Sequence, residues 1–281
     1  PPPPPPFSSR RRHTRSLVPS RGLGDVYKRQ ILSCLLLAGL IGLLFMEPIA
    51  QDPGYHLFAD TRWLFGIPNF NDVVSNAGFA LVGILGMIVV LGVNRHKIFV
   101  KSADARPYVI FFIGVALVSL GSAYYHWEPS NERLLWDRLP MSIAFMAFTS
   151  AVIADRINAR AGNSWLLPVL ILFGILSLIY WNHTEQLQRG DLRFYAFVQF
   201  FPVIMLPFIL YLFPNHYYVS GHYIVWVLFW YGVSKLLEYF DAEVFEIFDY
   251  VISGHTLKHL AAAASAFVVL RMLLSHQQNK T

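Results

Sequence analysis

The sequence predicts an all-α fold: a polytopic helical bundle in a membrane, with a seven-span core and one further hydrophobic helix at its N-terminal end. Three observations predict it. The 281 residues are 55% hydrophobic and only 14% charged, where soluble domains carry about a quarter charged residues. Eight apolar stretches recur along the chain, each close to the roughly 20 residues that cross a ~30 Å hydrocarbon layer. The connectors between them are short and hold the charged and turn-forming residues.

The first thirty residues differ from the rest. Pro1 to Pro6 is a homopolymer, and Ser8 to Gln30 is polar, basic and without helical periodicity. Segment 1–30 is therefore expected to be a disordered leader of non-native type. The spans are then read at 31–47, 73–93, 107–126, 139–155, 165–181, 194–213, 222–240 and 255–274. The first is short, and Pro48-Ile49-Ala50 after it has the small-residue look of a cleavage site, so 31–50 reads either as an extra span or as a signal-like segment. Residues 51–275 form the seven-span domain, and 276–281 form a tail. No internal repeat and no second domain is evident.

Charge places the chain in the bilayer. The net charge of +5 comes from the first thirty positions and from connectors. No basic face could follow a phosphate backbone, so nucleic acid is excluded as a partner. Lysine and arginine bias puts Asn94–Arg106, Arg156–Ser164 and the C-terminal tail on the cytoplasmic side. The expected location is a bacterial cell membrane. Cys34 is the single cysteine, which excludes an intrachain disulfide and argues against a thiolate metal site. Nothing in the sequence fixes the oligomeric state.

Ionisable residues in or at the ends of spans are costly in lipid and mark function by default. His255 and His259 are four apart on a predicted helix, so both imidazoles leave one face, one turn apart. Thr256 stands where a metalloprotease motif would have glutamate. Ser119, Ser122 and His126 share a face of the third span, and His126 ends it. Asp137 precedes the fourth span, where it reads either as an N-cap before Leu139 or as a working carboxylate. Counting spans places His126, Asp137, His255 and His259 at one depth, on the non-cytoplasmic side. Together they read as a metal site. Lys258 is expected to snorkel to the interface. Lys235 and Glu238 are expected to pair or to line a cavity, with Asp241 extending the patch, while His183, His216 and His222 read as surface residues.

The set Ser122-xxx-His126, Asp137-x-Leu-Pro-Met and His255-xxx-His259 resembles the alkaline ceramidases, part of a larger group of seven-span hydrolases that includes the progestin and adipoQ receptors. Asn71 to Asn76 also resembles the opening of that core, and the likeness covers roughly residues 60–275. It implies a zinc ion held by His126, His255 and His259, with Ser122 and Asp137 beside it as catalytic groups. The implied reaction is hydrolysis of the N-acyl amide of a ceramide-like lipid, so the implied partners are a lipid substrate and the surrounding membrane lipids. The family's acidic calcium-binding segment is replaced here by Gly54–Phe70, where only Asp60 is acidic and Asn69 stands in place of a glutamate, which argues against calcium. Two other classes share part of the pattern: a receptor of the adipoQ type with a structural zinc, and a transporter using Lys235, Glu238 and Asp241.

Overall fold

The computed structural model describes residues 20–278. Eleven α-helices run in the order α1 (Ser20–Phe45), α2 (Phe70–Val74), α3 (Ala77–Leu91), α4 (Arg95–Ile98), α5 (Arg106–Trp127), α6 (Asn131–Arg156), α7 (Leu166–Gln186), α8 (Arg193–Leu212), α9 (Gly221–Tyr239), α10 (Asp241–Ile247) and α11 (Gly254–Gln278). The described residues contain no strand, only an isolated bridge between Leu64 and Ile67. Seven of the helical segments are long and apolar enough to cross a membrane. The fold is an all-α polytopic bundle.

Its outer surface explains the composition. Leu81, Ile84 and Ile88 on α3, Leu172, Leu176 and Ile179 on α7, and Ile204 and Phe208 on α8 all point outward and are exposed. An apolar surface of this extent belongs against lipid rather than water. The core lies inside: α5 packs on α3 and α6, α6 on α7, and α9 on α11, around residues such as Phe112, Ala147, Val152, Ile224 and Leu273. At the periphery α1 lies against α8, and Gly39 meets the rings of Phe197 and Phe201.

Four details depart from the sequence reading, three of them in where helices begin or break. First, α1 begins at Ser20, so Ser20–Gln30 is helical rather than disordered. Tertiary contacts hold it: Arg29 donates to the Ile157 carbonyl at 3.2 Å and Lys28 lies over the Phe213 ring. Residues 1–19 of the expected leader lie outside the described residues. Second, α6 begins at Asn131, not at 139, because Ser130 is the N-cap and accepts the Arg133 N–H. Third, the span expected at 73–93 is broken at Ser75-Asn76. The Asn76 amide donates to the Asp72 carbonyl at 2.7 Å, and the Ser75 hydroxyl donates to the same carbonyl at 3.2 Å. Side chains that bond locally to the backbone compete with a regular helix. Fourth, α9 forms and packs in the bundle but is not among the seven most apolar segments. It carries Lys235 and Glu238 along with three tyrosines and two tryptophans.

Candidate metal centre

Three helix ends meet at one end of the bundle. His126 is in the last turn of α5, Asp137 in the second turn of α6, and His255 and His259 in the first turns of α11. Close approach of α5 to α6 depends on Gly121. A Cβ there would lie 2.1 Å from the Trp136 carbonyl oxygen and 3.3 Å from the Asp137 nitrogen. That carbonyl has no i+4 donor in its own helix, because position 140 is proline. Gly254 plays the same part for α11, packed against the Leu237 carbonyl and the Asp241 backbone.

The structure brings the three histidines together. Each offers one ring nitrogen, and these atoms all lie within 4.8 Å of one another. The Nε2 atoms of His126 and His255 are 3.2 Å apart. The rings of His126 and His259 have centroids 4.8 Å apart, and those of His255 and His259 5.1 Å apart. All three are buried. Charged imidazoles packed this closely and this deep would be strongly disfavoured, so neutral rings with free lone pairs are the stable form.

Neighbouring groups fix how the rings face. Ser75 Oγ lies 2.8 Å from His259 Nδ1, which leaves Nε2 for the centre. This is the supporting hydrogen bond that metal-binding histidines generally carry. The break between α2 and α3 is what aims Ser75 at that nitrogen. Asp72 is completely buried and accepts from Thr256 Oγ1 at 2.6 Å, tying α2 to α11. Asp241 accepts the His255 N–H at 2.7 Å and the Ala59 N–H at 2.9 Å. It therefore caps α11 and does not extend the Lys235–Glu238 patch as expected. From the loop before α2, Phe58 packs over His126 and His255 with centroids 4.7 and 4.4 Å away. His56, bonded to the Tyr125 hydroxyl and to Asn131, holds that loop in place. Asp72, Ser75 and Phe58 were not singled out as site residues; an aspartate at a span entry is itself a signal for Asp72.

A cavity of about 860 Å³ opens beside the histidines, and His259, Asp137 and Ser122 all line it. Asp137 is buried, and the Ser122 side chain neighbours its carboxylate at the cavity wall. It lies inside α6, six residues past Asn131, so it is no N-cap; that role belongs to Ser130. Lys258 does not snorkel outward either. It bonds Glu238 at 2.7 Å and lines the cavity, and Lys235 bonds the other Glu238 oxygen at 2.5 Å. His183, His216 and His222 are exposed, as expected. In the segment that departs from the acidic calcium-binding type, Asp60 is buried and engaged by Arg62 and Asn71.

The ceramidase family model matches residues 67–240. No curated protein sequence matches the chain. The matched segment contains Asp72, Ser75, Ser122, His126 and Asp137, and the fold carries α11 with His255 and His259 back onto it. A match over more than half the chain, on a membrane bundle with these buried groups, has one reading: the chain belongs to the ceramidase family, the membrane hydrolases of lipid amides.

Proposed function

We propose that this protein is a zinc-dependent amidohydrolase that cleaves the N-acyl amide of a ceramide-like lipid into a sphingoid base and a fatty acid. One observation carries the proposal: three buried imidazoles converge, and one of them, His259, lines a large cavity that Asp137 and Ser122 also line. The donor set suits zinc. Two nitrogens each about 2.0–2.1 Å from one tetrahedral ion stand ~3.3 Å apart, and the observed His126–His255 separation is 3.2 Å. His126, His255 and His259 would hold the ion, and three protein ligands leave a fourth position open, as in catalytic rather than structural sites. When bound, zinc would supply Lewis acidity toward an amide carbonyl and make water acidic near neutral pH.

The chain's own residues supply the remainder. Asp137 accepts a proton from the attacking water and delivers it to the leaving amine, the general base and then general acid role. Ser122 sits beside the Asp137 carboxylate, and its hydroxyl can donate to the oxyanion that develops on the carbonyl. Phe111, Val115, Phe148, Val227 and Val269 line the cavity; they accept hydrocarbon and keep water out. The site lies at span ends, at the depth of a lipid's amide below its headgroups. With the charge bias of the connectors, that end faces the non-cytoplasmic side of a bacterial cell membrane. Glu238 is bonded to Lys235, Lys258 and Tyr55, a closed cluster that gives no support to a transport path.

The test is lipid turnover. Purified full-length protein is incubated with N-acyl sphingoid bases and matched acyl esters, and released fatty acid is measured with and without chelator. Release from the amides, abolished by chelation and restored by zinc, is expected. No release from any lipid, by protein shown to hold zinc stoichiometrically, would favour the receptor-like reading.

A further inference from the structure

Arg138 follows Asp137 on α6, and it lines the same cavity. The residue is 6% exposed, and its Nη1 is buried with no acceptor among the described residues. It makes no ion pair there either. What surrounds it is aromatic: Cζ lies 4.7 Å from the ring centroid of Trp181, 4.9 Å from that of Tyr195 and 5.3 Å from that of Tyr55. Such contacts engage the faces of a guanidinium and leave its in-plane N–H donors unserved. Arginine stays charged at every accessible pH and carries five donors in a rigid fork. A buried charge without an acceptor is among the costliest features a fold can keep.

The cavity's own acids do not answer it. Glu238 is taken by Lys235, Lys258 and Tyr55, Asp137 neighbours Ser122 and makes no ion pair with Arg138, and Asp52 accepts the Gly54 N–H. We infer that Arg138, caged by Tyr55, Trp181 and Tyr195, is an anion-binding subsite that takes a carboxylate or phosphate carried on a long-chain lipid. The fork suits two parallel hydrogen bonds to such a group, and the cage excludes the water that would compete. The inference rests on reading the cavity as a lipid chamber, but not on zinc or on turnover. The same oxyanion has two possible sources: an acidic headgroup on the amide lipid, or the carboxylate of a fatty acid.

The test uses full-length protein in phosphatidylcholine nanodiscs, with hexadecyl phosphate, hexadecanoate and hexadecanol as probes and dissociation constants as the readout. Wild-type protein should bind both anionic probes at least tenfold tighter than the alcohol. Arg138→Gln should remove that preference, and Arg138→Lys should keep part of it, since the charge remains and the fork is lost. The preference should persist in His259→Ala protein, which separates the subsite from the metal centre. Equal binding of hexadecyl phosphate and hexadecanol by wild-type protein, a comparison that needs no variant to fold, would overturn the inference; so would an unchanged preference in Arg138→Gln. A second arm compares hydrolysis of N-hexadecanoylglycine and N-hexadecanoylethanolamine. A preference for the acidic amide that Arg138→Gln abolishes assigns the anion to the substrate headgroup. Equal hydrolysis, with Arg138-dependent hexadecanoate binding, assigns it to the fatty acid. Anion preference without any hydrolysis upholds the subsite and counts against the hydrolase reading alone.

Discussion

At the scale of single residues, Asp137 separates two readings that look alike in sequence. Its place just before an apolar run suggests a cap, but α6 starts at Asn131 under the Ser130 cap, so the carboxylate has no structural duty at a helix end. Asparagine is nearly isosteric and stays polar beside Ser122, yet it cannot take a proton. Asp137→Asn should therefore hold zinc and unfold near the wild-type temperature, with turnover down by about 100-fold or more; retention of most activity would return Asp137 to a packing role. Ser75 makes the complementary case. Its hydroxyl is 2.8 Å from His259 Nδ1, so Ser75→Ala should weaken zinc binding by roughly 10–100-fold, measured by competition with a chromogenic chelator. The convergence of the three histidines was legible in sequence because His255 and His259 obey helical spacing and His126 ends a span. Lys258 was not: its position near a span end suits snorkelling, and its partner Glu238 lies 20 residues away on another helix.

Helices and connectors set how closely those residues can meet. Gly121 is where α5 touches α6, with its missing Cβ 2.1 Å from the Trp136 oxygen. Gly121→Ala must push the helices apart beside Ser122 and Asp137, at a cost of about 1–3 kcal/mol, visible as a lower unfolding temperature in detergent. The segment between α1 and α2 holds the cover over the histidines, and Asp60 anchors it. Burial pushes the Asp60 carboxyl up, but the Arg62 side chain and N–H and the Asn71 amide outweigh burial and hold it below the usual carboxylate range. A lowered folded value means the stabilisation is present above ~pH 4 and lost as pH falls through that lower value. The gap in unfolding temperature between wild type and Asp60→Asn should thus be wide at pH 7 and narrow on acidification; a gap independent of pH would deny the anchor. Span existence was readable from hydropathy alone, whereas span edges were not. The break at Ser75-Asn76 is made by side chains bonding to the Asp72 carbonyl, which an apolar run does not display. α6 opens on Asn131, Glu132 and Arg133, none of them buried, and polarity there reads as a loop.

For the whole molecule, the centre joins parts of the chain that are far apart. His126 and His255 are separated by 129 positions, and the family match ends at residue 240, before α11 begins. Asp72, Thr256, Asp241 and Phe58 pack the ends of α2, α5 and α11 together, so a ligand at the centre should bind only when these ends are assembled. Any ligand that binds the folded state alone adds stability by mass action, about 4 kcal/mol at a thousandfold excess over its dissociation constant. Zinc should therefore raise the unfolding temperature of the purified protein, and prolonged chelation should lower it, with re-addition restoring it. His259→Ala protein should show no such response, and its zinc content by elemental analysis should fall far below one per chain. This outcome does not depend on the substrate. A wild-type protein whose melting is indifferent to chelator and zinc, or a His259→Ala protein that keeps full zinc, would remove the metal from the site.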